Sequence, residues 1–428
     1  MFKVLVIAYY FPPMGLSGVQ RTLKFVKYMK KYNWEPTVIT AGKVAYFAHD
    51  TSLLKESEEA GIRIIRTEAN DPNSVLSRLG TVRLPSEFLR KFLNRMSQTI
   101  FVPDNKVSWS KKAYKKASEL LSKEHFDVIF VTVPPFSSFV MAAQLKRKFK
   151  VPLFVDYRDL WYDSYLSFYP TPLHKYLNKK MEYNALKAAD KIIVTNRKIK
   201  ELLIRVYNFL TFEDLVIIPH GYDAADFTSF ATGNASNKKM ILTYSGIFYE
   251  HNTPKHFFSA FNKLKKENPH IAGNIELHFV GHLGKSNIKL IKNYNLQEFV
   301  VNHGYLNHDE AIEKIMFSDV LWMMLGKWKH SDTILPGKLM EYIGSGKPFI
   351  ACLPDGAAKM IAAGCGAAFI TAPDNDEEIK NTILKVYDLF TRNALPIPNE
   401  EFIKQYQREY LTELLTKEFQ FLVKDEVV

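Results

Sequence analysis

At 428 residues the chain is too long for one ordinary core, so two domains are expected. Its apolar share of 47% with 24% charged residues excludes a disordered or fibrous chain. The net charge is lopsided: residues 1–219 hold 35 Lys and Arg against 20 Asp and Glu, net +15, whereas residues 220–428 hold 22 against 25, net −3.

A basic first half is expected to meet something anionic, whether a phosphate-bearing substrate, a membrane surface or nucleic acid, unless it is simply a solvated surface. Nucleic acid is the weakest of these, because the charges are spread through helical patterns with no recognisable module. The two cysteines, Cys352 and Cys365, are isolated, which fits a reducing, cytoplasmic setting and offers no metal-ligand spacing. The opening run MFKVLVIAYYFPP is apolar but stops at a Pro-Pro after about ten residues, so it reads as a first strand, not a span or a leader.

In chain order, short β-branched runs alternate with amphipathic helical patterns, the rhythm of parallel βαβ units. Strands are predicted at 3–8, 36–40, 63–66, 127–132, 153–156, 191–195 and 216–219, with helices such as 20–31 and 111–124 between them. The stretch 83–101 has a helical apolar stripe (Leu84, Phe88, Leu89, Phe92, Leu93, Met96, Ile100) flanked by Arg90, Lys91 and Arg95. That pattern suits either a helix packed on its own domain or one lying on an anionic membrane.

Residues 224–239 are small and polar and read as a linker between a domain at 1–223 and a second at 240–398. The pattern then restarts with strands at 240–245, 276–280, 300–302, 320–324, 348–351 and 367–370. After a Pro-rich break, 399–428 reads as a long helical segment that caps the second domain or returns to the first.

Ligands of open parallel sheets bind at the carboxyl ends of the strands, and two such sheets facing across a cleft would share one site. Five segments fall at such ends. YYFPPMGLSGVQR, at Tyr9–Arg21, supplies Ser17 and Gly18 at a helix start, where backbone N–H groups can meet an anion. A plain strand–helix connection would look the same. LPGKLMEYIGSGK places Gly337 and Lys338 in the first turn of a helix and Glu341 on the same face. A cation and a carboxylate so placed suit a diphosphate and a ribose, or else form a surface ion pair.

VDYRDLW puts Asp156 and Arg158 on one side of a strand end, either as reacting groups or as an ion pair bracing a loop. IIPHGYD and TVPPFSS are further strand ends. In the first, His220 fits hinge packing better than catalysis; the second offers the hydroxyls of Ser137 and Ser138.

In this order the segments resemble the retaining glycosyltransferases of family 4, from FPP…SGVQR to KLMEYIGSGKPFIA. Within that family the closest likeness is to bacterial members with an Asp-aromatic-Arg-Asp-x-Trp segment, here Asp156 to Trp161, a Pro-Asp…Trp element (Pro103, Asp104, Trp109) and a Pro-Pro-x-Ser turn (Pro134, Pro135, Ser137). The resemblance implies an α/β GT-B fold with two Rossmann-like domains, and metal-independent transfer of a sugar from a nucleoside diphosphate. No cofactor is implied beyond the nucleotide-sugar donor. The acceptor is a saccharide or lipid-linked, in cell-surface polysaccharide or glycolipid assembly.

It implies Lys338 at the donor phosphates, with Gly246 and Gly337 beside it, Glu341 at the ribose, Ser17 and Gly18 at the diphosphate, and Gly304 and Tyr305 near the base. Lys338, Arg158 and Asp156 are the candidate catalytic groups. Three departures stand out. Thr333 replaces a Glu usual eight residues before Glu341; Ile247 and Asn252 occupy places where relatives carry Arg and Lys; and a usual His after the 153–156 strand is missing. These departures leave open a silent partner subunit with the same fold; a nucleotide-sugar epimerase is the nearest enzymatic rival, although no obvious pair of acid and base carboxylates supports it.

Overall fold

The computed structural model describes residues 1–15, 17–44, 49–68, 87–164, 167–228, 239–248 and 252–425. Contacts divide the chain into two units: Met1–Pro219 with Arg408–Val428, and His220–Gln407.

In unit 1, β1 (Phe2–Ile7), β2 (Trp34–Ala41), β3 (Arg63–Thr67), β4 (Val128–Val133), β5 (Leu153–Tyr157), β6 (Lys191–Val194) and β7 (Leu215–Ile217) form one sheet in the order β3-β2-β1-β4-β5-β6-β7. All its pairings are parallel. Unit 2 repeats the plan with β8 (Met240–Ser245), β9 (Ile275–Val280), β10 (Val300–Gly304), β11 (Val320–Met324), β12 (Phe349–Cys352) and β13 (Ala368–Thr371), in the order β10-β9-β8-β11-β12-β13. The central strands are buried throughout and almost wholly apolar (VIFVTV in β4, with Thr132 its one polar residue, and VLWMM in β11) because helices cover both faces of a parallel sheet.

Every predicted strand is present, with ends shifted by a residue or two. β7 ends earlier than predicted: the Ile218 N–H still bonds the Val194 carbonyl at 2.9 Å, but Pro219 has no N–H to continue the ladder.

Five helices matter below: α1 (Ser17–Met29), α2 (Glu87–Ile100), α3 (Pro172–Leu186), α4 (Gly337–Gly344) and α5 (Arg408–Asp425). The expected single helix over 399–428 is in fact two. A short helix, Glu400–Lys404, stays with unit 2, where Phe402 fills the space beside Gly364. α5 belongs to unit 1, burying Leu411, Leu415 and Phe419 in its core. The Phe419 ring meets Phe154 at 4.6 Å, Trp34 at 5.1 Å and Phe130 at 5.7 Å between centroids, all edge-on.

The predicted linker also begins too early. Asp223 caps a short 3-10 helix, Ala224–Phe227, by accepting from the Ala225 N–H at 3.2 Å, and Phe227 joins Tyr222 in the unit 2 core. Residues 229–238 of that stretch lie outside the described residues, as do 83–86 of the amphipathic segment, including Leu84. So do the Phe88 side chain and that of Ser17. What is described of the segment forms α2, and its apolar stripe faces outward.

Candidate functional site

In unit 2, three neighbouring strands β8, β9 and β10 end in glycines with left-handed or unusual backbone: Gly246 at φ +127°, Gly281 at +126° and Gly304 at +74°. The Gly246 N–H donates to the Val280 carbonyl and the Gly281 N–H to the Gly304 carbonyl, each at 2.7 Å. A Cβ on Gly281 would stand 2.3 Å from the Gly246 carbonyl oxygen, so these chains turn away too closely for any side chain. Gly246 and Gly304 were expected here. Gly281 was not, although a glycine directly after an apolar strand is a readable signal.

Lys338 lies over this glycine edge. A Cβ on Gly246 would come within 2.7 Å of the Lys338 Nζ. The ammonium sits over the Tyr244 ring, 3.9 Å from its centroid, and donates to the Tyr244 hydroxyl. One turn along α4, the Tyr342 hydroxyl accepts from the Ser245 N–H at 2.8 Å and donates to the Trp322 carbonyl at 3.0 Å. That bolts α4 to the ends of β8 and β11 and fixes where Lys338 points. Burial pushes the Lys338 ammonium down to about 7, with Glu341 on the same helix working the other way.

Gly337 is the first helical residue after Pro336, as the sequence suggested. Glu341 is half-buried and Tyr305 is exposed beyond Gly304. Thr333 is buried, its hydroxyl donating to the His330 carbonyl at 2.7 Å. The same loop is pressed against Gly356, where a Cβ would lie 2.4 Å from Asp332 Cα. A half-buried cation at a helix start beside turned backbone is chemically suited to hold an anion.

In unit 1 the strand-end charges have other work. Asp156 and Arg158 do share one side of β5, the side facing α1, but neither is presented as a reacting group. The buried Asp156 carboxylate accepts from Arg21 through Nη2 at 2.8 Å and Nε at 3.0 Å, and from the Thr132 hydroxyl at 3.1 Å. Arg21 also donates to the carbonyls of Ile218 and Pro219, at 2.9 and 2.6 Å. Arg158 donates to the carbonyls of Gly18 (2.6 Å), Val133 (3.2 Å) and Pro134 (3.2 Å). What the geometry shows for both is a brace: through Arg21 and Gly18 they clamp the start of α1 to β4 and β5. Ser17 and Gly18 open that turn, and a Cβ on Gly18 would meet Arg158 at 3.2 Å.

Tyr157 points the opposite way, into a knot that sequence reasoning missed. The buried Glu182 of α3 accepts from the hydroxyls of Tyr157 and Tyr207 and from the Tyr162 N–H, the last two at 2.7 and 3.0 Å. Trp161 is held in the same knot, its backbone N–H donating to the Tyr157 hydroxyl at 2.8 Å and its indole to Asn178 at 2.9 Å. Burial raises the Glu182 carboxyl to about 7. Glu182→Leu would orphan three donors at about 1–3 kcal/mol each. A fall in unfolding free energy of at least ~3 kcal/mol in urea titration is expected, and an unchanged midpoint would show that the knot adds nothing.

The Pro-Asp…Trp element is built similarly. Asp104 accepts from the N–H and hydroxyl of Ser137, both at 2.8 Å, and from the Lys106 N–H at 2.9 Å. Trp109 is buried edge-on to Tyr9 at 5.1 Å.

Two doubly wound parallel sheets, each in its own unit, with a lysine anchored over glycine-ended strands in the second, define a GT-B protein. The model of Glycosyltransferase Family 4 matches residues 18–226 and that of Glycosyl transferases group 1 matches residues 226–395. The chain is a GT-B glycosyltransferase of the family 4 type.

Among solved structures, a glycosyltransferase from Rickettsia africae ESF-5 superposes with a TM-score of 0.63 at 16% identity, covering 99% of each chain. Sucrose-phosphate synthase from Thermosynechococcus elongatus gives 0.67 at 14%, covering 99% of this chain and 100% of that one. HepE from Anabaena, solved with UDP and glucose, gives 0.63 at 14%, covering 98% and 100%. These likenesses are of fold. Among curated proteins, no sequence matches the chain.

Proposed function

We propose that this glycosyltransferase moves a sugar, with retention of configuration, from a nucleoside diphosphate to a saccharide or lipid-linked acceptor in cell-surface polysaccharide or glycolipid assembly. The observation that carries this reading is Lys338, half-buried at the start of α4 over the Gly246 turn, with Glu341 one turn further on. Lys338 and the backbone at Gly246 and Gly337 hold the diphosphate, Glu341 the ribose, and the Gly304–Tyr305 edge the base. The Thr333 loop, with Asp332, lies at the sugar. The UDP bound in HepE supports a nucleotide-sugar donor.

In the transfer, the bond from the anomeric carbon to phosphate oxygen breaks as the bond to the acceptor oxygen forms, and the hydroxyl proton is released. Negative charge then grows on the departing diphosphate. A fixed cation and aligned N–H groups stabilise that charge more than they stabilise the ground state. Such a site needs no divalent ion to neutralise the leaving group.

A thermal-shift panel of nucleoside diphosphates and their sugars tests this. The true donor at 100 times its Kd adds about 2.7 kcal/mol, hence a rise of several degrees in Tm. The shift is expected to persist in EDTA. A flat panel removes the donor reading, and a shift that EDTA abolishes and manganese restores removes metal independence.

A further inference from the structure

The helix α2 is packed inside out. The described side chains of its apolar stripe are in water, with exposure running from 46% at Leu89 and Met96 to 65% at Ile100, and Phe92 and Leu93 between. Among the described side chains of α2, those partly buried are Arg90, Ser97 and Gln98, all polar. This polar side holds the helix in place. Gln98 Oε1 accepts from the Phe168 N–H at 2.6 Å, the Thr99 carbonyl lies 3.1 Å from His174 Nε2, and the Arg95 guanidinium sits over the Phe168 ring at 5.4 Å.

The attachment brings α2 beside the start of α3, where Leu173 and Tyr176 are 61% and 59% exposed. An amphipathic helix fixed by its polar side presents its apolar side to something other than its own core.

Charge says what that is. The two helices carry Arg90, Lys91, Arg95, Lys175, Lys179 and Lys180. Their acidic residues are Glu87 and Glu182, and Glu182 is buried in the tyrosine knot. A second copy of the chain docking by two-fold symmetry would set these six cations against themselves. An anionic lipid surface satisfies both features, since apolar side chains enter the boundary between headgroups and acyl chains while lysines and arginines reach the phosphates.

We infer that the face formed by α2 and the start of α3 docks unit 1 on an anionic bilayer. No helix among the described residues is long and apolar enough to cross one, so this attachment is interfacial and reversible.

Co-sedimentation of the full chain with phosphatidylcholine vesicles, with and without phosphatidylglycerol, tests the inference. Binding is expected only to the anionic vesicles and is expected to fall with added salt. The double variants Phe92→Ser with Leu93→Ser, and Lys91→Glu with Lys180→Glu, should each lower partitioning at least about tenfold. Their melting curves should match the parent, because all four side chains are exposed. Four results would overturn the assignment: no binding to either vesicle at low salt, equal binding to both, anionic binding that both double variants keep, or a solution dimer that Phe92→Ser with Leu93→Ser dissociates.

Discussion

Asp156→Ala should unfold unit 1 at a much lower temperature than the parent, with a loss of about 3–5 kcal/mol. Arg21 is fully buried in α1. Its guanidinium has two sets of partners: the Asp156 carboxylate, bidentate at 2.8 to 3.0 Å, and the carbonyls of Ile218 and Pro219 after β7. Removing the carboxylate leaves a buried cation with only neutral carbonyls to solvate it, and breaking one side of a buried pair is far more costly than never having made it.

The Thr132 hydroxyl, now bonded to Asp156 at 3.1 Å, loses its acceptor as well. For a unit of this size each kcal/mol moves Tm by roughly 2–4 °C, so a drop of about 10 °C is expected in calorimetry. Asp156→Asn, which keeps the shape and one acceptor oxygen, should fall between. If Asp156→Ala melts with the parent but loses turnover, the carboxylate is a reacting group after all, and the brace is incidental.

The contrast between Asp156 and Tyr157 marks where the sequence was legible. Alternation along β5 correctly put Asp156 and Arg158 on one side and Tyr157 on the other, because that follows from strand geometry alone. What each side meets depends on packing partners far along the chain. Arg21 lies 135 positions from Asp156, and Glu182 lies 25 from Tyr157. Nothing local distinguishes a charge at a strand end that faces a ligand from one that faces a buried guanidinium.

The strands themselves were readable because a parallel sheet covered on both faces needs unbroken apolar runs, and those runs end at Pro, Gly or Asn. Boundaries failed where packing overrode composition. Tyr222 and Phe227 sit in polar, turn-rich sequence but are drawn into the unit 2 core, where Gly344 leaves room for both rings. The helical pattern over 399–428 concealed a break between Lys404 and Arg408, and with it the return of α5 to unit 1. The stripe on α2 was visible in the sequence, but its direction was not. A period of three and four says only that one face is apolar, and the polar anchors Gln98 and Thr99 decide which way it turns.

Lys338→Met should weaken binding of the donor nucleotide by about ten- to a hundredfold, the value of one charged hydrogen bond, without lowering Tm. The two halves of this expectation come from the same physics. Burial against Tyr244 and the Gly246 turn lowers the Lys338 ammonium to about 7, against an ordinary value of 10.5. Between those values the unfolded chain binds a proton that the folded chain does not, so this group makes stability rise with pH from about 7 to 10.5 and detracts from it at neutral pH. A methionine fills similar volume and removes that cost. A residue kept for packing would show the reverse, a lower Tm with affinity intact.

The bound diphosphate favours the ammonium and raises its pKa, so binding should take up a proton at and above neutrality. Affinity for the sugar nucleotide, whose diphosphate is esterified at both ends and does not titrate there, should be level below pH 7 and fall as pH rises past it. Titration calorimetry in buffers of different ionisation enthalpy measures both effects. In Lys338→Met the proton uptake and the pH slope should vanish together. If they persist in that variant, another group carries the charge at this site, and the placement of the diphosphate at the head of α4 is wrong.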